Sequence, residues 1–414
     1  MVSITKNTEN INARYCAILV LTEVNQQGAY NNIALRKALN ARDDWDPRDK
    51  AFVTELVNGT LRNQILIDYI LDKFSKKPAS RMKPFIRELL RTAVYQIRWM
   101  DKVPNSAAVN EAVKLVKSNG FAALSGFING ILRNIVRAHE DGGFTLPQDW
   151  GTQYSFPSWL VDAVKRWLGS QAKDFFEGSH ITPSVSFCVN KLKTSQYDDD
   201  MIHLKNASDI RETEGFKQGH LFVMDEGAYL AAKALDVKPG QNVIDLCAAP
   251  GGKSFAMAVM MENRGKIISC DIHPHKLELM ATMARHLGIT NISLEERDAT
   301  IINPKWENWA DAVLLDAPCS GFGIIRRKPD IKYSKTMEDV ENMAALQKEL
   351  LTAASAYVKP GGVLVYSTCT ITTEENSDNV RWFLDNFPFT LEESTQLMPT
   401  DRHDGFFIAR MRKI

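Results

Sequence analysis

Cysteine is scarce in this sequence, and none of it is arranged to bind a metal. Six cysteines occur among 414 residues, and no two of them form a CxxC pair. A disulfide framework and a zinc site both need closely spaced cysteines, so neither is predicted. We therefore expect reduced thiols and no bound metal.

Long hydrophobic runs are also missing. The longest apolar stretches are far shorter than the roughly 20 residues that a transmembrane helix needs. The first residues lack the basic, apolar and small-residue regions of a signal peptide. From these absences we expect a cytoplasmic protein that acts away from membranes, and we expect a monomer.

Net charge is a third absence, because 50 lysines and arginines balance 50 acidic residues. The charges are nevertheless unevenly distributed. Residues 1–150 hold 21 basic and 15 acidic residues, and the remainder holds 29 and 35. This asymmetry suits a basic module that meets a polyanion, joined to a more acidic catalytic module. A merely basic surface explains the same numbers, so the charge alone leaves both interpretations open.

Hydrophobic patterns divide the chain into parts, and a length of 414 residues suggests two or three domains. From residue 11 to about 140, apolar residues recur every three or four positions, which is typical of amphipathic helices. Ser106 and Gly120 fit the cap and the stop of one helix. We predict an all-α domain over residues 1–145, followed by a linker with glycine and proline.

The pattern of apolar residues changes twice after that linker. Residues 155–235 mix amphipathic helices with short strand candidates. We predict a small α+β subdomain there that links the two larger domains and binds RNA, and an elaborated N-terminal edge of the next domain is the alternative. After Lys238, continuous apolar strands alternate with helices, which is typical of a mainly parallel sheet covered on both faces. We therefore predict an α/β Rossmann-like domain over residues 236–414. Ligands of such sheets bind beyond the carboxyl ends of the strands.

A loop with paired glycines, DLCAAPGGKS, joins the first strand of that sheet to its first helix. It matches neither GxGxxG nor the triphosphate-binding GxxxxGK[ST]. Asp271 ends the second strand, where a carboxylate binds ribose hydroxyls. Asp298 ends the third strand, where it would meet an adenine amino group. A nucleoside cofactor without a pyrophosphate, such as S-adenosylmethionine, fits this set; a tight turn with acidic strand ends is the alternative.

Two cysteines, Cys319 and Cys369, each follow an apolar strand, in the segments DAPCSGFGIIRRKPDIKY and YSTCTITTEEN. With CAAPGGK and KPGG, these segments resemble the signatures of the RNA cytosine-5 methyltransferases of the Nop2/Sun family. The helical part, which includes RYCAILVLTEV and GFINGILRNI, resembles the NusB-like RNA-binding domain. The resemblance spans nearly the whole chain and is weakest between about 150 and 215.

The resemblance implies a role for each thiol. In this family the cysteine of the TC segment, here Cys369, is the nucleophile, and that of the PC segment, here Cys319, assists product release. The DNA cytosine-5 enzymes use the opposite assignment. Asp316 would contact the cytosine ring. The residues implied to line the S-adenosylmethionine site are Cys247, Ala248, Ala249, Pro250, Gly251, Gly252, Lys253, Asp271, Asp298 and Asp316.

The segment RRKPD supplies candidates for contacts with RNA phosphates, namely Arg326, Arg327 and Lys328. A solvated loop is the alternative. The sequence as a whole predicts an S-adenosylmethionine-dependent RNA cytosine-5 methyltransferase, most similar to those that act on bacterial small-subunit ribosomal RNA. Two alternatives stay open: a NusB-like RNA-binding or assembly factor with an inert methyltransferase domain, and a methyltransferase that acts on transfer RNA.

Overall fold

The chain forms two compact units that are not contiguous in sequence. The structure, a computed structural model, describes residues 12–145, 147–204 and 213–414. The first unit runs to Ala163 and also contains Ile325–Ser334, and the second contains Val164–Ile324 and Lys335–Ile414. The division into parts at 1–145, 155–235 and 236–414 stays a prediction, because the unit boundary falls inside the helix Ser158–Leu168.

Helices build the first unit, as predicted. They are α1 Ala13–Gln27, α2 Asn31–Asn40, α3 Pro47–Arg62, α4 Gln64–Phe74, α5 Pro84–Trp99, α6 Asn105–Ser118, α7 Ser125–Glu140, α8 Trp150–Gln153, α9 Ser158–Leu168, which continues into the second unit, and the short α15 Ile331–Ser334. The capping prediction for Ser106 is wrong, because α6 begins one residue earlier and Ser106 lies inside its first turn. Gly120, with φ +82°, does follow the end of α6.

Helix α5 lies at the centre of this unit and shows why the pattern is helical. Its apolar residues Leu89, Leu90, Ala93, Val94 and Ile97 are each at most 4% exposed, and they fall three and four positions apart. Burying one leucine or isoleucine side chain contributes about 1.5–3 kcal/mol. Glu88, Arg91, Thr92 and Gln96 are buried as well, so α5 is enclosed on all sides and not only along its apolar stripe.

The segment Ile325–Ser334 is held inside the first unit by polar contacts. The Lys332 ammonium, fully buried, donates to the carbonyl oxygens of Arg62 and Ser155, at 2.7 Å each. The Tyr333 hydroxyl donates to the Leu61 carbonyl at 3.0 Å. Asp330 accepts from the Asn31 backbone N–H at 3.1 Å. These bonds fix a short piece of the later chain among the early helices.

A small antiparallel sheet opens the second unit. Its strands are β1 Val185–Val189, β2 Met201–Leu204 and β3 Leu221–Val223, and β1 lies between the other two. The strand-like segments SVSFCVNKL and GHLFVMD predict β1 and β3. Strand β2 was not predicted, and it carries no fully buried residue.

The larger sheet of the second unit is mainly parallel, as predicted. Its strands are β4 Asn242–Asp245, β5 Lys266–Asp271, β6 Ile292–Glu296, β7 Ala310–Asp316, β8 Val358–Thr368, β9 Phe389–Leu397 and β10 Phe406–Lys413. Their order is β6-β5-β4-β7-β8-β10-β9, with β10 antiparallel to both of its neighbours. The helices of this unit are α10 Ala172–Gly178, α11 Glu214–Lys217, α12 Glu226–Ala234, α13 Gly252–Met260, α14 Pro274–Leu287, α16 Met337–Tyr357 and α17 Ser377–Asn386.

Strand β7 shows the burial that a central parallel strand requires. Ala312, Val313, Leu314 and Leu315 are each at most 2% exposed, although neighbouring side chains point to opposite faces of the sheet. Both faces are therefore covered, which explains the continuous apolar run. Because β4, β5, β7 and β8 are parallel, the residues after them lie at one edge of the sheet.

Candidate active site at the carboxyl ends of the strands

The loop after β4 turns sharply into α13. Gly251 has φ +108°, a backbone conformation that favours glycine. The Ala249–Pro250 peptide bond is cis. Asp271, at the end of β5, accepts from the Ala249 backbone N–H at 3.3 Å and from that of His273 at 2.9 Å. One carboxylate therefore ties the loop to the end of the neighbouring strand.

The carboxyl group of Asp245 lies beneath this loop, 1% exposed. Burial raises the pKa of Asp245 to about 7, although a hydrogen bond from the Ser254 hydroxyl opposes the shift. That bond measures 2.6 Å, and Ser254 also contacts the Ser269 hydroxyl at 2.8 Å. The base of the loop is thus a buried polar cluster whose acid keeps a proton more readily than an exposed aspartate does.

Lys253 and Asp316 form an ion pair across two strand ends. The Lys253 Nζ lies 2.6 Å from Asp316 Oδ2, and the Ser367 hydroxyl donates to Asp316 Oδ1 at 2.8 Å. Burial lowers the pKa of Lys253, but the charge of Asp316 and its hydrogen bond outweigh burial, and the net pKa is raised. Both oxygens of Asp316 are therefore held in fixed directions, with a charged lysine beside them. Sequence reasoning gave no role to Ser367, although it lies inside the segment YSTCTITTEEN.

The two thiols at the ends of β7 and β8 meet. Cys319 Sγ lies 3.3 Å from Cys369 Sγ, although fifty residues separate them in the chain. The hydrogen bond with Cys369, followed by burial, raises the pKa of the Cys319 thiol well above its usual value. The backbone carbonyl of Cys369 accepts from the Gly323 N–H at 3.0 Å, which joins the two cysteine segments. The predicted pairing of two thiols at neighbouring strand ends is present in the structure.

A cavity of about 460 Å³ lies beside the loop. Asp225, Lys253 and Asp316 give it a polar side, and Phe222, Leu279 and Met283 are among its apolar lining. Asp271 and Asp298 do not line this cavity. The exposed Asp298 instead accepts from the Thr300 hydroxyl at 2.7 Å. The structure thus groups the loop with Lys253 and Asp316, and it places Asp298 outside that group.

The basic segment after Cys319 does not lie as predicted. Arg326 is 2% exposed and belongs to the first unit, where its backbone carbonyl accepts from the Arg62 guanidinium at 3.1 Å. A buried guanidinium is not presented to an RNA backbone, so the structure contradicts the predicted phosphate contact of Arg326. Arg327 and Lys328 are exposed, and their contact with RNA stays a prediction.

The described residues show neither a metal-ligand cluster nor a membrane-spanning helix. Residues 12–145, 147–204 and 213–414 contain no group of three or more histidine, cysteine or acidic side chains that could hold a metal ion. Within the same ranges, no helix combines the length and the apolar character that crossing a membrane requires.

Comparison with known proteins identifies the family. A model of the 16S rRNA methyltransferase RsmB/F family matches residues 232–412, and a NusB family model matches residues 11–137. The probable ribosomal RNA small subunit methyltransferase B of Bacillus subtilis is 35% identical, with 97% of this chain and 98% of the relative covered. The chain belongs to the ribosomal RNA small subunit methyltransferase B family. The corresponding enzyme of Vibrio vulnificus is 31% identical, with 97% of this chain and 100% of the relative covered.

Solved structures share the fold of this chain. The crystal structure of PH0851 has a TM-score of 0.75 at 27% identity, and 98% of this chain and 100% of that chain are covered. A methyltransferase homologue from Pyrococcus horikoshii has a TM-score of 0.58 at 28% identity, with 64% of this chain and 98% of that chain covered. The similarity therefore includes both units and not only the sheet.

The cofactor of a methyltransferase B family member is S-adenosylmethionine, and the donors of this site fit it. Asp271 offers carboxylate oxygens for hydroxyl groups at the end of β5, beside the loop, whereas Asp298 follows β6 outside that group. At Gly251 an added Cβ would lie 2.5 Å from the Phe255 ring, so only glycine keeps the loop in this path. The residues that would hold the cofactor are thus the loop and the aspartates beside it, which stay predictions residue by residue.

Proposed function

We propose that this protein transfers a methyl group from S-adenosylmethionine to carbon 5 of a cytosine in small-subunit ribosomal RNA, through a covalent bond between Cys369 and carbon 6. The observation that carries this proposal is the pair of sulfurs 3.3 Å apart, next to the Lys253–Asp316 ion pair. The printed names of the relatives, which specify ribosomal RNA of the small subunit, support the choice of substrate.

The chemistry explains why two thiols are useful. Carbon 5 of cytosine is a weak nucleophile, and addition of the Cys369 sulfur to carbon 6 turns it into an enamine carbon that can take the methyl group. The cofactor supplies that methyl group. A base then takes the proton from carbon 5, the electrons of that bond re-form the double bond, and the bond between carbon 6 and sulfur breaks with its electrons returning to the Cys369 sulfur. Cys319 acts in this last step.

The environments of the thiols fit attack by Cys369 and assistance of product release by Cys319. The hydrogen bond with Cys369 and burial raise the pKa of Cys319, so its sulfur keeps its proton during the attack by Cys369. A protonated thiol 3.3 Å away can also donate a hydrogen bond to the Cys369 sulfur as it departs from carbon 6. Asp316, with both oxygens fixed by Lys253 and Ser367, is the group that we assign to the N3 edge of the cytosine.

A covalent trap tests the proposal. Cys369→Ala cannot form the bond to carbon 6, so methylation should fall to background and no adduct should form. Cys319→Ala can still attack and methylate but should stall before elimination. It should therefore accumulate a protein–RNA adduct that survives denaturing electrophoresis and depends on S-adenosylmethionine. An adduct in Cys369→Ala but not in Cys319→Ala would reverse the two roles.

The substrate is tested separately. The wild-type enzyme should methylate 16S ribosomal RNA transcripts and leave transfer RNA unmodified, as bisulfite sequencing of both would show. Methylation of transfer RNA alone would move the enzyme to the other substrate class. Full methylation by the double variant Cys319→Ala, Cys369→Ala would contradict the covalent mechanism itself.

A further inference from the structure

Glu375 is a buried carboxylate without an assigned role. It lies six residues after Cys369, and the residue is 0% exposed. Its Oε2 accepts from the Ser320 backbone N–H and from the Gln347 amide, both at 2.9 Å. Its Oε1 accepts from the Thr372 hydroxyl at 2.9 Å and from the Ser320 hydroxyl. Every donor to this carboxylate comes from the segments around the thiols or from α16.

The hydrogen bonds of Glu375 involve residues that neighbour both cysteines in the chain. Ser320 directly follows Cys319, and its hydroxyl also lies 2.8 Å from that of Thr370, which directly follows Cys369. On the other side of Cys319, the Gln347 amide donates to the Pro318 carbonyl at 2.8 Å. The residues before and after Cys319 and those after Cys369 are therefore fixed through one carboxylate and its glutamine partner.

We propose that Glu375 is a positioning residue that sets the spacing of the Cys319 and Cys369 sulfurs by its hydrogen bonds rather than by its charge. This inference rests on the proposed two-thiol mechanism. A shift of about 1 Å at a reacting group costs on the order of 100-fold in rate. A residue that holds both thiol segments therefore controls the chemical step without touching the substrate.

The hydrogen-bond donors around Glu375 allow the effect of its geometry to be tested separately from the effect of its charge. The two donors to Oε2 are N–H groups, which cannot accept, whereas the two donors to Oε1 are hydroxyls, which both donate and accept. A glutamine amide fits this pocket when its oxygen faces the N–H groups and its nitrogen faces the hydroxyls. Burial raises the pKa of Glu375 against the effect of its donors, which agrees with a pocket that does not require the charge. Aspartate keeps the charge but is shorter by one methylene and cannot reach both sets.

The experiment compares Glu375→Gln with Glu375→Asp in the full-length chain. Single-turnover methylation of the RNA at saturating cofactor, the KM for RNA and the Kd for S-adenosylmethionine are measured for both variants. We expect Glu375→Gln to keep its rate within about threefold of wild type. We expect Glu375→Asp to lose on the order of 100-fold in rate, while its KM and Kd stay within about twofold. A merely structural defect would instead raise KM and Kd and lower the rate together.

Glu374 offers a matched control, because it neighbours Glu375 and its side chain is 28% exposed. Glu374→Gln and Glu374→Asp should both retain the wild-type rate. An active Glu375→Asp beside an inactive Glu375→Gln would show that the charge matters and overturn the inference. Wild-type rates in both Glu375 variants, or parallel loss of rate and cofactor binding in Glu375→Asp, would overturn it as well. A wild-type enzyme that methylates no cytosine would instead refute the proposed function.

Discussion

Folding shifts the pKa values of two aspartates, which lie at opposite ends of the parallel strands, in opposite directions. Burial raises the pKa of Asp245 to about 7. Burial also raises the pKa of Asp311, but the hydrogen bonds from Lys359 and from the Asn242 backbone outweigh it, and the net pKa is lowered. The same residue type therefore makes folding depend on pH with opposite signs at these two positions.

The pH dependence of stability should reveal this difference. The folded state keeps a proton on Asp245 between about pH 4, the usual pKa, and about pH 7. The unfolded state loses that proton, so stability falls as the pH rises through this window. The unfolding free energy of the wild type should therefore be larger at pH 5 than at pH 8, and for Asp245→Asn this increase should be smaller. Urea denaturation at both pH values measures the difference.

Asp311→Asn is the control with the opposite sign. The lowered pKa of Asp311 contributes stability above its ordinary pKa of about 4 and loses it as the pH falls through the folded value. Asp311→Asn should thus be destabilised at pH 8 relative to wild type, with the difference shrinking in acid. Equal pH profiles for Asp245→Asn and wild type would contradict the assignment of a retained proton.

The loop from β4 to α13 shows what two adjacent glycines do within one element. Gly251 has φ +108°, and an added Cβ would lie 2.5 Å from the Phe255 ring. Gly252 is the first residue of α13, and the nearest atom to its added Cβ is in Met224 at 3.8 Å. The first position needs glycine for its backbone and its space, whereas the second tolerates a methyl group.

Alanine substitutions should separate these glycines. Gly251→Ala should destabilise the second unit by about 1–3 kcal/mol, because it combines a left-handed backbone with a steric clash. Gly252→Ala should be neutral or stabilise by up to about 1 kcal/mol, because it reduces the entropy of the unfolded chain. Thermal unfolding of both variants checks this. A larger loss for Gly252→Ala would mean that the loop follows another path.

The sequence predicted which helices and strands form better than it predicted the residues at which they begin and end. The periodic stretch from Pro47 to Phe74 contains α3 and α4, which are separated at Asn63 with φ −110° and ψ 15°. The Asn63 amide donates to the Gly59 carbonyl at 2.9 Å, a local bond that apolar spacing does not reveal. Strand β9 was missed because Thr390 to Thr395 are exposed, which leaves no apolar alternation to detect.

The geometry of the candidate site could be predicted where a motif carries the residue, and not where the contact is made by a distant partner. Cys319 and Cys369 lie inside recognisable segments, and their pairing follows from parallel neighbouring strands. Glu375 and Gln347 interact across 28 positions, and no local pattern shows which buried acid meets which buried amide. Arg326 was assigned wrongly because a run of basic residues does not reveal which side chain turns inward.

On the scale of the whole molecule, we expect the proposed RNA substrate to meet a groove of the helical unit that is lined by two arginines and one glutamate. A groove of about 550 Å³ lies between α6 and α7, with Arg133 and Arg137 on one side. These arginines are one helical turn apart, about 6 Å along the axis. Deleting the helices would be an ambiguous test, because Ile325–Ser334 belongs to the same unit and would lose its packing. Point variants avoid that problem.

Charge reversal at the groove should weaken RNA binding in a salt-dependent way. Each phosphate contact contributes about 0.7–0.9 to the slope of log K against log salt. The double variant Arg133→Glu, Arg137→Glu should thus lower the magnitude of that slope by about 1.4–1.8, with cofactor affinity unchanged. Filter binding of a 16S ribosomal RNA fragment between 50 and 200 mM salt, roughly the range over which such contacts are read, measures it.

The matched control reverses the same amount of charge elsewhere. Lys238 and Arg264 have side chains that are each 63% exposed, and they precede β4 and β5, at the edge of the sheet opposite the site. Lys238→Glu with Arg264→Glu should leave the slope unchanged. Equal slopes for both double variants would show that total charge, and not the groove, governs RNA binding.

The placement of Ile325–Ser334 also sets an order of events during synthesis. The first unit contains residues up to Ala163, yet it is complete only with Ser334, roughly 170 residues later. At about 5–20 residues per second, the ribosome needs on the order of 10–30 s to make that stretch. Until then the carbonyl groups of Arg62 and Ser155, which Lys332 later binds, lack this partner. The first unit can therefore be completed only after the ribosome has translated the chain as far as Ser334.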